Sequence, residues 1–295
     1  MVPAIGLVEL VAHVVEIRAV VPDADWKAAR SWVAAHARSE DLVAFAPRWA
    51  DPVGREQFGR SLATVDREAR ADDTRFPRAY EVSIRGAHLP ELDGWRRGDT
   101  RKFGRVAVTT WDNPSPAHVI DDLVSLAVPD RLQVSRVEGG RETPCPFSRT
   151  RPQTGGLGFG PGVPGDRFAC PGGFVGVSIV PDLDYYGRRC IYAPPPGGNA
   201  ILRLRFAGVH LGKALHGHQA LYVEAERDRR GPPVTLQLKV GDTVLGTAVH
   251  KDGDGWQPFE FDTHELDGQE VDLVAEIASP SGHRRMYCFE VDSRR

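Results

Sequence analysis

The sequence predicts two parts: an α/β N-terminal domain and an all-β C-terminal domain with a jelly-roll-like antiparallel sandwich, joined by a Gly/Pro-rich linker. Helical periodicities alternate with short apolar runs in the first part of the chain. Short segments of alternating polarity, separated by turn residues, fill the last part. Between them, 13 of the 27 residues from Gly139 to Gly165 are Gly or Pro, which sustain neither a helix nor a strand ladder. A chain of 295 residues has the length of about two domains. We place an apolar segment at 1–21, the domains at 22–137 and 169–295, and the linker at 138–168.

The first domain is predicted to combine helices with a partly parallel sheet. The clearest helix repeats apolar residues on one face and has an aspartate near its start, either Asp23 or Asp25, as a cap. A second helix is predicted from 53 to about 69. A third is predicted from Ser115-Pro116 to about 127, because Ser can cap a helix and Pro fits its first turn. Short strands are predicted at 42–46, 80–84 and 106–111.

The second domain shows a period of two along its strands. The alternation is strict at 234–240, and a Gly-Asp turn then leads into the next segment. One face of each strand is therefore predicted to lie in the core and the other to be solvated, as in an antiparallel sandwich. Strands are predicted at 201–206, 220–226, 234–240, 243–249, 259–261, 271–277 and 286–291.

Composition narrows the range of partners. Hydrophobic residues make up 41% and charged residues 26%, which is ordinary for a globular protein with a core. A net charge of −3 argues against a nucleic-acid partner. The apolar segment 1–21 carries Glu9, His13, Glu16 and Arg18, so no transmembrane span is predicted in this chain. It also lacks the pattern of a signal peptide, which by itself predicts a cytoplasmic location.

Four cysteines leave the redox state open. No CxxC motif occurs among them, which disfavours a zinc ribbon or a redox dithiol. The four are Cys145, Cys170, Cys190 and Cys288. They permit two disulfides in any of three connectivities, or four thiols.

No catalytic motif stands out, which leans against an enzyme and leaves the question open. There is no Gly-x-Ser-x-Gly elbow. A literal GxGxxG at 160–165 contains two prolines and is not followed by a helical pattern, so it is not predicted to bind a dinucleotide. Adjacent residues on a helix or strand point to different faces, which disfavours Asp72-Asp73 and Asp121-Asp122 as catalytic pairs. We interpret these pairs and Asp182-x-Asp184 as caps and surface residues.

Metal ligation has two candidates. His216 and His218 would project to one side of an extended strand, but two imidazoles are too few for a closed zinc or copper site. Asp252 and Asp254 lie in a Gly-rich turn and could offer oxygen ligands to calcium, although further acidic ligands do not follow. No cofactor is predicted apart from this structural calcium.

Aromatic residues beside predicted loops suggest a ligand surface. Tyr185, Tyr186 and Trp256 could stack against a sugar ring, and Trp256 lies next to the Gly-rich turn. With Asp252 and Asp254 they form the predicted ligand-binding set. The alternative is packing in the core.

Two stretches resemble a known family. Residues 39–58, beginning Ser-Glu-Asp-Leu-Val-Ala-Phe-Ala-Pro, follow a helix and are similar to the soluble region after the last spanning helix of glycosyltransferases of the dolichyl-phosphate-mannose protein mannosyltransferase type. Segments 189–193, 252–256 and 288–289 resemble the β-sandwich appended to bacterial members. The resemblance implies an extracytoplasmic, periplasmic location. It carries over no catalytic residue, because the family's catalytic acids lie between spanning helices.

Three functional hypotheses follow. The first is a non-catalytic accessory protein of the cell envelope whose sandwich binds saccharide or an envelope protein. The second is a hydrolase or transferase with a site between the domains, involving His216, His218 or an aspartate. The third is a purely structural or assembly role. An aromatic platform would favour the first, a cleft with titratable side chains the second, and a flat apolar patch the third.

Overall fold

The computed structural model describes residues 9, 20–58, 69–153 and 161–295. The chain divides into two compact units. The first runs to Pro116, except for residues 69–71, which belong to the second unit together with residues 117–295. The division therefore falls at 116, whereas the sequence pattern placed the end of the first domain at 137.

The first unit is a four-stranded mixed sheet with helices, as its alternating pattern predicted. Strand β1 pairs in parallel with β2, and the other pairings are antiparallel, in the order β1-β2-β4-β3. The three predicted strands are confirmed; β3 was not predicted, because its largely charged sequence has no apolar alternation. The elements are α1 (Asp23–His36), β1 (Leu42–Ala46), α2 (Asp51–Phe58), β2 (Arg78–Ile84), β3 (Arg96–Phe103) and β4 (Val106–Asp112).

Helices α1 and α2 pack on one face of this sheet. The predicted apolar stripe of α1 buries Trp26, whose ring lies 6.4 Å from that of Phe45 in edge-to-face geometry. Gly54 of α2 allows close approach, since a Cβ there would lie 2.3 Å from the Phe45 ring. The predicted second helix is present through Phe58; residues 59–68 lie outside the described ranges.

The second unit is an antiparallel β-sandwich, which confirms the predicted fold class. The large sheet has the order β16-β13-β18-β11-β10-β9-β8, with β5 paired to β18, and the small sheet has the order β15-β14-β17-β12-β6-β7. Leu204, Leu236 and Ile277 from the small sheet and Leu215 and Phe289 from the large one meet in a fully buried core. The elements are β5 (Val119–Asp122), β6 (Leu132–Glu138), β7 (Arg141–Pro144), β8 (Phe147–Arg149), β9 (Asp166–Cys170), β10 (Gly173–Pro181), β11 (Gly187–Tyr192), β12 (Ile201–His210), β13 (Ala214–Leu221), α3 (Val223–Asp228), β14 (Val234–Val240), β15 (Thr243–His250), β16 (Gln257–Asp262), β17 (Glu270–Ala278) and β18 (Tyr287–Arg294).

The helix predicted from 115 to about 127 is wrong. Residues 119–122 form β5, which hydrogen-bonds to β18. The chain then turns, because the Asp122 carboxylate accepts a hydrogen bond from the Val124 N–H at 3.0 Å, an Asx turn that competes with helix. Leu123 and Val124 enter the sandwich core from this turn. The apolar residues here are therefore spaced as in a helix although no helix forms.

The predicted linker 138–168 contains paired strands. Strands β7 and β8 and the start of β9 lie within it, and β7 continues the small sheet beside β6. Prolines are compatible with this arrangement because Pro144 is the last residue of its strand and Pro146 stands between two strands. Residues 154–160 lie outside the described ranges.

The strand predicted at 220–226 is wrong in its second half. Strand β13 ends at Leu221 and α3 begins at Val223. The Glu226 side chain reaches back to accept a hydrogen bond from the Leu221 N–H at 2.8 Å, which stabilises this tight strand-to-helix junction.

The structure selects one of the three disulfide connectivities. Cys145 pairs with Cys170, and Cys190 pairs with Cys288. The second pair joins neighbouring strands of the large sheet, β11 and β18, and both of its cysteines are fully buried.

Within the described ranges, no helix has the length and apolar character needed to cross a membrane.

The two disulfides should differ in their effect on stability. The cysteines of Cys190–Cys288 are 98 residues apart and those of Cys145–Cys170 are 25 apart. A cross-link across more residues removes more entropy from the unfolded chain, here about 1 kcal/mol more. Cys190→Ser/Cys288→Ser should therefore lose more free energy of unfolding in urea than Cys145→Ser/Cys170→Ser. The opposite ranking would contradict this prediction.

Candidate functional site

An aromatic layer lies on the outer face of the large sheet. Side chains alternate across a strand, so Cys190, Tyr192 and Cys288 point away from the sandwich core. They pack with Tyr222 and Val223 at the start of α3, and with the partly buried Phe174 and Trp256. This outward face is therefore covered by apolar groups instead of being solvated. The neighbouring loop and helix α3 pack against these groups.

Glu226 organises the loop that joins β15 to β16, which we call the 251–256 loop. The side chain of Glu226 is 1% exposed. One oxygen accepts from His250 Nε2 at 2.7 Å and from the Leu221 N–H. The other accepts from the Gly253 N–H at 2.7 Å and, more weakly, from that of Gly255 at 3.4 Å. The carboxylate thus ties a strand end, α3 and the loop together.

A buried ion pair also holds the same loop in place. The Asp252 carboxylate accepts from both terminal nitrogens of Arg285, one of them (Nη2) at 3.0 Å, and from the Gly231 N–H at 2.9 Å. Burial by itself raises the pKa of Asp252. The hydrogen bonds from Arg285 and Gly231 outweigh burial, so the pKa lies below its ordinary value.

Three of the four residues predicted to bind metal contact other protein groups. Both oxygens of Asp252 contact Arg285, which supplies a positive charge where calcium was expected. Asp254 is exposed on the loop. His216 and His218 lie on β13 with ring centroids 5.1 Å apart, and Nδ1 of His218 is 3.2 Å from Glu290. Among the described residues, no group of three or more His, Cys, Asp or Glu is arranged to hold a metal ion.

Two of the three predicted aromatic residues, Tyr185 and Trp256, lie beside α3. Tyr185 and Tyr186 lie in the β10–β11 turn, where the Asp182 carboxylate accepts from the Tyr186 N–H at 2.8 Å. Tyr185 is 53% exposed, and its ring lies 4.5 Å from the guanidinium of Arg227 on α3. Trp256 is partly buried in the aromatic layer, and its Nε1 has no partner among the described residues. Tyr185 therefore contacts α3 through Arg227, and Trp256 packs against its first turn.

A cavity of about 430 Å³ opens at an end of the sandwich, and sequence reasoning missed it. Its walls come from the β9–β10, β11–β12 and β17–β18 connections, which the sequence marked only as Pro- and Gly-rich turns. Two of these connections approach closely, since a Cβ on Gly197 would lie 2.3 Å from the Gly282 nitrogen. The lining residues are Arg136, Cys170, Pro171, Gly172, Gly173, Phe174, Val175, Pro194, Pro195, Pro196, Leu202, Gly282 and His283.

The end cavity offers an aromatic ring and hydrogen-bond donors. Phe174 supplies the ring, and Arg136 and His283 supply the polar side chains. Nε of Arg136 is buried without a partner among the described residues, although its Nη2 donates to Glu138 at 2.9 Å. A neighbouring groove of about 350 Å³ shares Arg136 and Pro171 and adds Glu138, Arg141 and Thr143.

The end cavity has few titratable side chains. Among the described residues that line it, these are Arg136 and His283, and none is a carboxylate or a free thiol. Glycoside hydrolysis generally requires two carboxyl groups flanking the bond. No such pair occurs among the described lining residues, while the ring and donors can contact a polar ligand with apolar faces.

No family model and no curated protein matches the sequence. Among solved structures, CBM51-2 in complex with GlcNAc, with INT domains, from Clostridium perfringens ZmpB is 6% identical at a TM-score of 0.29, covering 60% of this chain and 40% of that one. The M60 catalytic domain of the same protein with CBM51-1 and CBM51-2 is 7% identical at a TM-score of 0.31, covering 69% and 22%. A chain from a study of CBM4 structure and function is 16% identical at a TM-score of 0.23, covering 49% and 95%. The strand pairing described above defines the fold independently of these similarities.

Glu226→Gln should destabilise the second unit. The amide NH₂ would face N–H donors that now contact a carboxylate oxygen, leaving buried donors unsatisfied at a cost of about 1–3 kcal/mol. Urea unfolding measures this loss. Glu265→Gln, at an exposed position, is the matched control and should change stability by less than about 0.5 kcal/mol. Equal effects of the two variants would mean that Glu226 does not organise the loop.

The Asp252–Arg285 pair should make stability depend on pH in the acid range. The folded pKa of Asp252 is lowered, so its contribution is complete above the unfolded value near 4 and is lost as pH falls through the folded pKa. Asp252→Asn should reduce the slope of unfolding free energy against pH below about pH 5. Glu276 should supply part of the remaining slope, since Lys239 and Arg203 lower its pKa although burial opposes them. The exposed Asp242→Asn is the control, and an unchanged slope in Asp252→Asn would contradict the prediction.

Proposed function

We propose that this protein is a non-catalytic saccharide-binding accessory protein and that its sandwich binds the sugar in the end cavity. The observation that carries the proposal is the cavity's lining. Its described residues combine Phe174, the Arg136 guanidinium and the His283 imidazole within about 430 Å³, and they include no carboxylate. The volume lies within the usual range of small-molecule sites.

The chemistry of a sugar ring fits these groups. Its C–H face packs on an aromatic ring, and its hydroxyls accept hydrogen bonds from planar donors such as a guanidinium. Arg136 is shared by the end cavity and the neighbouring groove, so a ligand longer than one sugar could continue past it toward Arg141 and Thr143.

We further propose an extracytoplasmic location. Two disulfides, one of them deeply buried, support an oxidising compartment. The resemblance to the extracytoplasmic region of protein mannosyltransferases supports the same location. The surface with Tyr185, Tyr186, Asp252, Asp254 and Trp256 stays a second predicted contact for saccharide, and the experiment below separates the two sites.

A glycan array on the full chain, followed by calorimetric titration of the best glycan, tests the proposal. Arg136→Gln should weaken binding about tenfold or more, because hydrogen bonds from a charged group contribute about 1.5–3 kcal/mol. His283→Gln, at an exposed position, should weaken binding without unfolding the protein. Tyr185→Ala, on the other surface, is the control and should leave affinity unchanged.

Two results would overturn this assignment. Loss of binding in Tyr185→Ala but not in Arg136→Gln would move the site to the predicted aromatic surface around α3. An array without any glycan bound by the folded chain would remove the saccharide proposal.

A further inference from the structure

The first unit carries a groove on the sheet face opposite to α1. Alternation along the strands places small and polar residues there. Ser83 of β2 and Lys102 of β3 both pair with Ala107 of β4, so one row crosses three strands. Glu81 and Thr100 form the next row through Thr109. Ser83 and Ala107 in the first row have small side chains, which leave depressions between the longer side chains around them.

Two adjoining cavities follow these rows, with volumes of about 430 and 470 Å³. They share Ser83, Gly86, Lys102 and Ala107. The first also contains Arg97 and the second also contains Arg85 and Arg105. Lys102 therefore stands where the two cavities meet, with arginines on both sides.

Positive charge dominates this groove. Among the described residues that line it, four are Lys or Arg and one, Glu81, carries a carboxylate. That carboxylate is already satisfied. It accepts from the Leu89 N–H at 2.6 Å and from Trp111 Nε1 at 3.0 Å, and it contacts His88 Nδ1 at 2.8 Å.

Three of the four basic groups, Lys102, Arg97 and Arg85, have no acidic partner among the described residues. Within the described ranges, Lys102 forms no ion pair, and Arg97 donates only to the Thr100 hydroxyl, at 3.2 Å. The Arg85 guanidinium lies 5.4 Å from the Trp49 ring and contacts no carboxylate of a described residue. Clustered cations without partners repel one another, and an anion placed between them would relieve this repulsion.

The backbone at Arg85 provides a separate observation. Arg85 and Gly86 both have positive φ, 57° and 71°, and the Ala87 N–H bonds to the Ile84 carbonyl. This is the geometry of a type I′ turn, whose first central position favours Asn, Asp or Gly. Arg is costly in this conformation, and such outliers concentrate at functional sites. The turn places a guanidinium at the edge of the second cavity.

We propose that this groove binds a diphosphate group, with one phosphate in each cavity and Lys102 between them. Two linked anionic centres match two adjoining basic cavities around one shared cation. Arginine and lysine are the side chains that proteins use for phosphate oxygens. The site is independent of the saccharide site proposed for the second unit.

Calorimetric titration of the full chain with inorganic pyrophosphate, at constant ionic strength, tests the proposal. Pyrophosphate should bind more tightly than orthophosphate or sulfate. Lys102→Gln should weaken pyrophosphate binding about tenfold or more. Lys27→Gln makes the same charge change on the exposed side of α1 and should leave binding unchanged. Unchanged circular dichroism spectra establish that both variants are folded.

The source of the diphosphate is tested with two further ligands. A nucleoside diphosphate represents a soluble source, and vesicles carrying a prenyl diphosphate represent a lipid headgroup. Binding of either that depends on Lys102 supports the proposal and identifies the source. Absence of pyrophosphate binding, equal affinity for sulfate, or equal loss in Lys27→Gln would overturn it.

Discussion

The outer face of the sandwich depends on one buried carboxylate. Glu226 has almost no exposed surface, so each of its oxygens must be paired with donors inside the protein. Those donors come from the end of β13, from His250 and from the glycines of the 251–256 loop. Satisfying one charge therefore fixes a strand end, a short helix and a loop at once. The aromatic layer with Tyr222 and Trp256 can be well packed because its covering segments have little freedom.

The sequence pattern predicted the sandwich where burial follows a strict period. Residues 234–240 alternate because one face enters the core, and β14 spans that range. Prediction failed where side-chain bonds override periodicity, as in the Asp122 turn, and where a strand is polar throughout, as in β3. We based the calcium hypothesis on the two aspartates of the 251–256 loop, and nothing in the sequence indicates that Arg285 contacts one of them. The partner of Asp252 lies 33 residues further along the chain, a distance that local motifs do not span.

The two proposed sites differ in physical character. The end cavity is built from turns, so its shape depends on prolines and closely approaching glycines, which leave no periodic signal in a sequence. The groove of the first unit lies on a regular sheet face, and its residues do follow a period of two. The sequence still did not predict this groove. Alternating polarity along a strand shows which side chains share a face of the sheet, but not which face other elements leave uncovered. Both sites became visible only when strand pairing was known.

The position of β18 has a consequence for how the chain acquires its structure during synthesis. Residues 287–294 lie in the middle of the large sheet, between β13 and β11, although they follow both in sequence. During synthesis on the ribosome, the edges of β11 and β13 that pair with β18 remain unpaired until this segment emerges. Unpaired strand edges promote aggregation. A holdase chaperone that shields β11 and β13 would be most useful during that interval.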